Sequence, residues 1–154
     1  MKTELPFGFS TTAAEVLSGV DLTGKTMIVT GGASGIGIET VRALASAGAE
    51  VTIAARRTEA AEEVAVTLRE QTRNSHIDVR QLDLADLRSV RKFVADWDKP
   101  LHALVNNAGI MALPELERSH EGCEMQFATN FLGHFALTTG LHPHLAKEIG
   151  RAHV

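Results

Sequence analysis

The sequence predicts an α/β fold with a doubly wound parallel sheet, and three features of the chain carry that prediction. Four short apolar segments have the length of strands but lack the in–out alternation of a sheet with one wet face. Between them lie segments whose apolar residues recur at helical spacing, so strand and helix alternate along the chain. A glycine-rich loop joins the first strand to the first of these helices, and right-handed crossovers make the doubly wound arrangement the leading topology.

The elements follow in order. Residues 1–20 read as a lead-in with a short helix near Thr11–Leu17, and Asp21-Leu22-Thr23-Gly24-Lys25 reads as a turn. Thr26-Met27-Ile28-Val29 is the first strand, halted by Thr30-Gly31-Gly32. From Ile36 to Ala47, the residues Ile36, Val41, Leu44 and Ala45 fall close to helical spacing, and Gly48 takes the place of a C′ glycine. Glu50–Ala55 is the second strand and Glu59–Arg69 the helix after it. Ile77–Leu82 is the third strand, and Leu87–Trp97 a helix begun by Asp86 or the residues just before it. Leu101–Val105 is the fourth strand. A long final helix is expected from Ser119 to about Leu145, with Gly133 and Gly140 as its weak points.

Composition narrows the function. At 154 residues the chain makes one domain with a real core, and 44% hydrophobic with 22% charged residues is ordinary globular usage. A net charge of −4 without any Lys/Arg block argues against nucleic acid as a partner and against a basic membrane patch. No apolar run approaches the ~20 residues that cross a bilayer, and Met1–Pro6 lacks the apolar stretch of a signal peptide. The single thiol, Cys123, reads as a small helix residue, and without an internal disulfide partner it implies a cytoplasmic location. His134 reads as a packed helix residue. His142 and His144 have no Cys or carboxylate partners at ligand spacing, so no metal is assigned.

The chemistry begins at Thr30-Gly31-Gly32-Ala33-Ser34-Gly35-Ile36-Gly37. Gly31 suits a tight turn, Gly35 lets backbone approach a pyrophosphate, and Gly37 lets the helix pack closely on the strand. Free N–H groups and the positive end of the helix then face the phosphates. The rival phosphate-binding loop needs Gly-Lys-Ser/Thr at the helix start, whereas Gly37 is followed by Ile38-Glu39, so that rival fails.

The spacing TGxxxGxG resembles the short-chain dehydrogenase/reductase family, and three further segments strengthen the resemblance. Asp83-Leu84 follows the third strand, where the family sets an Asp and the next backbone group against the adenine. Asn106-Asn107-Ala108-Gly109 follows the fourth strand and looks like the family's NNAG motif, which braces the sheet and lines the cofactor site. Asn130, within Thr129-Asn130-Phe131-Leu132-Gly133-His134-Phe135, resembles the family's helix asparagine, which supports a lysine–water proton relay. The resemblance spans about Leu22 to His144 and is strongest toward retinol-dehydrogenase-type reductases. It implies a Rossmann fold over 21–147, a small-molecule alcohol or carbonyl substrate, and a homo-oligomer at full length.

The second strand ends Ala54-Ala55-Arg56-Arg57. Alanine stands where an acidic residue would hold the ribose 2′-OH of NAD, while the planar fork of arginine suits the 2′-phosphate of NADP. The expected cofactor is therefore NADP, with Arg56 its main phosphate contact and Arg57 secondary. The expected site comprises Gly31, Ala33, Ser34, Gly35, Ile36, Gly37, Arg56, Arg57, Asp83, Leu84, Asn107, Ala108 and Gly109, with Asn130 as the catalytic-relay residue.

In the family a tyrosine serves as acid/base with a lysine four residues on, after a fifth strand that carries a serine. This chain contains no tyrosine. The expectation is a fold truncated after about four strands and the long helix, inactive by itself. Glu148-Ile149-Gly150-Arg151-Ala152-His153-Val154 matches the translation of a common sequencing adapter whose next triplet is a stop, so residues 148–154 are expected to be a non-native tail. The competing reading is a non-catalytic NADP-binding sensor or scaffold.

Overall fold

The protein is described by a computed structural model over residues 7–149. Four strands form one parallel sheet: β1 (Thr26–Thr30), β2 (Glu50–Ala55), β3 (Ile77–Gln81) and β4 (Ala103–Val105), in the order β3-β2-β1-β4. The helices are α1 (Ala13–Val16), α2 (Ile36–Ser46), α3 (Thr58–Thr72) and α4 (Leu87–Ala95), followed by α5 (Met125–Phe127), a π-helical segment (Ala128–Gly133) and α6 (His134–Ile149). This is the doubly wound α/β arrangement that strand–helix alternation predicts. Residues 150–154 of the expected tail lie outside the described residues, while Glu148 and Ile149 complete the last turn of α6.

Every residue of β1 is buried, which explains the unbroken apolar run Met27-Ile28-Val29 at its middle: the strand is central, with both faces covered. Because successive strand side chains point to opposite faces, Met27 and Val29 join Val51 and Ile53 against α2 and α3, packing on Val41, Ala45, Ala61 and Leu68. Ile28 and Ala54 face the other way, onto Val90 and Phe93 of α4 and Leu137 and Leu141 of α6. Trp97 lies just past α4, which ends two residues earlier than the spacing suggests, and it stacks on Phe93 with centroids 6.1 Å apart. Among the described residues no helix is long and apolar enough to cross a membrane.

Thr52 faces this second core with its hydroxyl buried and without a hydrogen-bond partner among the described residues. Valine has nearly the same shape and no polar atom. Thr52→Val is therefore expected to stabilise the full-length protein by roughly 1 kcal/mol, read as a raised melting temperature. A lowered one would show that the hydroxyl is satisfied.

Three expectations about the last helix are corrected. It starts at Met125 rather than Ser119. Residues 119–122 form a turn, closed by Gly122 N–H donating to the Ser119 carbonyl, and Arg118 and Glu124 pair as an isolated antiparallel bridge. The Glu124 carboxylate then accepts the N–H groups of Gln126 (2.9 Å) and Phe127 (2.7 Å), which caps the helix. Cys123 accordingly lies before the helix, not in it. Gly133 and Gly140 are points of closest packing, not weakness. A Cβ at Gly133 would overlap the Leu84 carbonyl, and one at Gly140 would come to 2.8 Å from Val94.

Chain direction positions the site. The chain passes from β1 outward to β2 and β3, then returns across the sheet to β4 on the other side of β1. The loops after β1 and β4 therefore diverge from adjacent strand ends, and a crevice opens between them at the carboxyl edge of the sheet.

Candidate functional site

A cleft of about 830 Å³ occupies that edge. Its lining includes Gly31, Ala33, Ser34, Gly35 and Ile36 after β1, Arg56 and Arg57 after β2, and Asp83 and Leu84 after β3. Asn107, Ala108 and Gly109 after β4 complete it. Four motifs far apart in sequence thus meet around one cavity because parallel strands deliver all their carboxyl ends to one edge. Gly37 and Asn130 are the predicted residues that do not line the cleft.

The loop after β1 has the geometry of a cradle. Gly35 adopts φ 51° and ψ −131°, a conformation closed to residues with a Cβ, and nothing lies within 4 Å of where its Cβ would be. No side chain caps the first turn of α2, so the free N–H groups at that end of an eleven-residue helix face the cleft, while Glu39 in the same turn is paired with Arg42. Gly37 lies beneath, buried against the Gly31 carbonyl and the Asn107 amide. Ile36, the first residue of α2, is 80% exposed and lines the cleft.

Arg56 and Arg57 are exposed at the cleft margin, and neither side chain forms a hydrogen bond or ion pair among the described residues. Other arginines are engaged: Arg42 with Glu39, Arg69 with Glu62, and Arg88 with Asp86. Asp83 accepts the N–H of Ala85 at 2.9 Å, tightening the turn after β3, while its own N–H donates to Ser89. The cap of α4 is Asp86, whose carboxyl the Arg88 side chain and backbone N–H hold down at about 2.

The wall formed by residues 107–109 is tied to β1 through one hydroxyl. Thr30 Oγ1 accepts the N–H groups of Asn107 (2.9 Å) and Ala108 (3.0 Å), and the Asn107 amide donates to the Thr30 carbonyl at 2.9 Å. His134 Nε2 stands 2.9 Å from the same hydroxyl, and its Nδ1 is 3.2 Å from the Asn130 carbonyl. His134 is buried, and burial lowers its pKa below the usual histidine value. Sequence reasoning placed His134 correctly in a packed helix but missed its partner, and it gave Thr30 no role beyond ending a strand. No local signal connects residues 104 positions apart.

Asn130 sits in the π-helical segment, and both ends of its amide are used. Oδ1 accepts the Ile110 N–H at 2.9 Å and Nδ2 donates to the Ile110 carbonyl at 2.7 Å. A π turn shifts the helical register, and such turns recur at functional sites. Here it aims Asn130 at the backbone just beyond Gly109. Gln126 makes a parallel tie, accepting the N–H of Ala112 at 3.1 Å. Ile110, Leu113, Met125 and Thr129 extend the cleft beyond the predicted residues.

A family model of short chain dehydrogenases matches residues 25–152. A probable oxidoreductase of Streptomyces antibioticus is 53% identical over 135 residues, covering 88% of this chain and 45% of the relative. Retinol dehydrogenase 11 of Mus musculus is 46% identical over 124 residues, covering 79% of this chain and 39% of the relative. Among solved structures, the Pseudomonas aeruginosa RhlG/NADP active-site complex superimposes with a TM-score of 0.69 at 30% identity, over 83% of this chain and 50% of that one. The chain spans less than half the length of these curated relatives. With the glycine cradle, the strand order and the Asn107 wall in place, the match establishes that this chain belongs to the short-chain dehydrogenase family.

Proposed function

We propose that the full-length protein is an NADP-dependent oxidoreductase acting on a small-molecule alcohol or carbonyl, with residues 21–147 as its dinucleotide-binding part. The observation that carries this reading is the end of β2. Two exposed, unengaged arginines border the cleft there, and alanine stands where a carboxylate would select NAD. The cradle fits the rest of a dinucleotide: an open Gly35 and an uncapped α2 terminus for the pyrophosphate, and Asp83-Leu84 at the β3 end for the adenine. The solved neighbour that is an NADP complex supports the same cofactor.

The nicotinamide ring supplies or accepts the hydride when bound. This chain's residues do the holding: Arg56 and Arg57 neutralise phosphate charge, and the wall at Asn107–Gly109 excludes water from one side. Asn130 fixes the backbone of Ile110, and the family role of its helix position in a proton relay comes with the same reading. The tyrosine that would exchange the substrate proton lies outside these residues, which contain none. The lone thiol of Cys123 fits a reducing cytoplasm.

The full-length protein is expected to oxidise NADPH with a panel of aldehydes and ketones, faster than NADH, whereas residues 1–154 alone are expected to show no turnover. The short form should also be poorly behaved. One edge of β4 has no partner among the described residues. Phe127, Phe131 and Phe135, stacked at 5.4 and 6.2 Å along one helix face, are each at least half exposed. Leaving such a side chain uncovered forfeits roughly 1.5–3 kcal/mol, against a total of about 5–15 for a domain. Turnover by residues 1–154 would overturn the reading of where the acid/base lies. NADPH binding by the full-length protein without turnover on any carbonyl would favour the sensor or scaffold.

A further inference from the structure

We infer that His134 is a positioning residue for the cofactor wall: as the neutral Nδ1–H tautomer, it accepts the Thr30 hydroxyl proton and so holds Thr30 in the one rotation that binds both Asn107 and Ala108. The inference rests on the dinucleotide reading of the cleft, and the proton inventory at one oxygen leads to it. Thr30 Oγ1 has two lone pairs and one hydrogen. The N–H groups of Asn107 and Ala108, at 2.9 and 3.0 Å, occupy both lone pairs. The single hydroxyl hydrogen then has two possible acceptors, the Val105 carbonyl at 3.4 Å and His134 Nε2 at 2.9 Å. The shorter contact is to the imidazole.

The other ring nitrogen decides the tautomer. Nδ1 lies 3.2 Å from the Asn130 carbonyl, which can only accept, so Nδ1 carries the proton and Nε2 is left as the acceptor. The opposite tautomer would place a third N–H on an oxygen with no free lone pair and would set Nδ1 against a carbonyl. Burial disfavours the charged form, in keeping with a neutral ring.

The consequence reaches the cleft through backbone. Thr30 stands at the end of β1, where the glycine loop departs, and Asn107 and Ala108 line the opposite wall. The Asn107 amide also donates to the Gly31 carbonyl at 3.3 Å, so the two loops are bonded to each other through this cluster. The Asn130 carbonyl that orients the ring belongs to the same residue whose side chain fixes Ile110. One imidazole thereby couples the helix after the cleft to the strand before it.

The test uses full-length protein and NADPH titration, with histidine nitrogen NMR on the unliganded form. His134→Leu is expected to weaken NADPH binding roughly five- to tenfold, the scale of one net hydrogen bond. His134→Gln, whose amide oxygen can reach the hydroxyl, is expected to restore most of it. In the parent the Nε2 signal should be that of an unprotonated ring nitrogen and the Nδ1 signal that of a protonated one. A protonated Nε2, unchanged binding in His134→Leu, or a glutamine variant no better than leucine would each overturn the inference. If the parent binds no dinucleotide, the proposed function fails, while the NMR tautomer still tests the histidine. The NMR also stands if His134→Leu does not fold.

Discussion

In the full-length protein, Gly37→Ala is expected to cost on the order of a hundredfold in NADPH affinity, and to lower rather than raise the melting temperature. Two effects oppose each other. Alanine is the better helix former by about 1 kcal/mol, and Gly37 is the second residue of an otherwise regular helix. Against this, its Cβ would overlap the Gly31 carbonyl and come to 2.7 Å from the Asn107 amide nitrogen. The carbonyl belongs to backbone and cannot turn aside as a flexible side chain end would. Either α2 retreats or the loop after β1 moves, and overpacking of this kind costs about 1–3 kcal/mol. The clash wins over propensity, and the displacement falls on the cradle whose spacing to the Asn107 wall defines the cleft. Gly8→Ala is the control, with an open position and ordinary φ. NADPH titration and thermal unfolding of both variants decide the matter; parental affinity in Gly37→Ala would show that the close approach is unimportant to binding.

The second large effect is expected at the end of β2. Arg56→Asp should weaken NADPH binding by about ten- to a hundredfold, the loss of a charge-assisted contact worth roughly 1.5–3 kcal/mol. It should also improve NADH binding, since a carboxylate there can accept the ribose 2′-OH and repels a 2′-phosphate. Arg56 is the cleaner site for the exchange. Arg57 is the N-cap of α3, where an aspartate would also cap the helix and mix stability with recognition. The contrast should shrink at high salt, because both arginines are exposed and screened by solvent ions. Titration of both cofactors into parent and variant at two ionic strengths measures it, and equal NADPH affinity in the two proteins would refute the role assigned to Arg56.

The order of strands and helices, and the convergence of the loops after the strands on one cleft, were legible in the sequence because both depend on local pattern. Uninterrupted apolar runs such as Met27-Ile28-Val29 specify a strand buried on both faces, and the burial of all of β1 follows from its centre position. Motifs placed directly after strands must converge once those strands are parallel, so Gly31, Arg56, Asp83 and Asn107 meet without any pairwise signal between them. Gly37, expected in the site, sits beneath the cleft instead of lining it, because it packs closely against the Gly31 carbonyl and the Asn107 amide.

Other features were decided by contacts between distant segments. The last helix begins at Met125 because the Glu124 carboxylate caps it, while the Glu121 carboxylate accepts the N–H of Leu87, at the start of the distant α4. Gly133 reads as a helix breaker by propensity, yet the backbone carbonyl of Leu84 fills the space a Cβ would need. The amide of Asn130 reaches Ile110 from within a π turn, which no periodicity announces. Thr30 and His134 are the clearest case. As sequence they are a strand end and a helix residue, and as structure they are adjacent buried polar groups, with the imidazole the nearer of the two acceptors open to the Thr30 hydroxyl. Periodicity selects which face of an element is buried, whereas the partner of a buried polar atom is set by the packing of whole elements against one another.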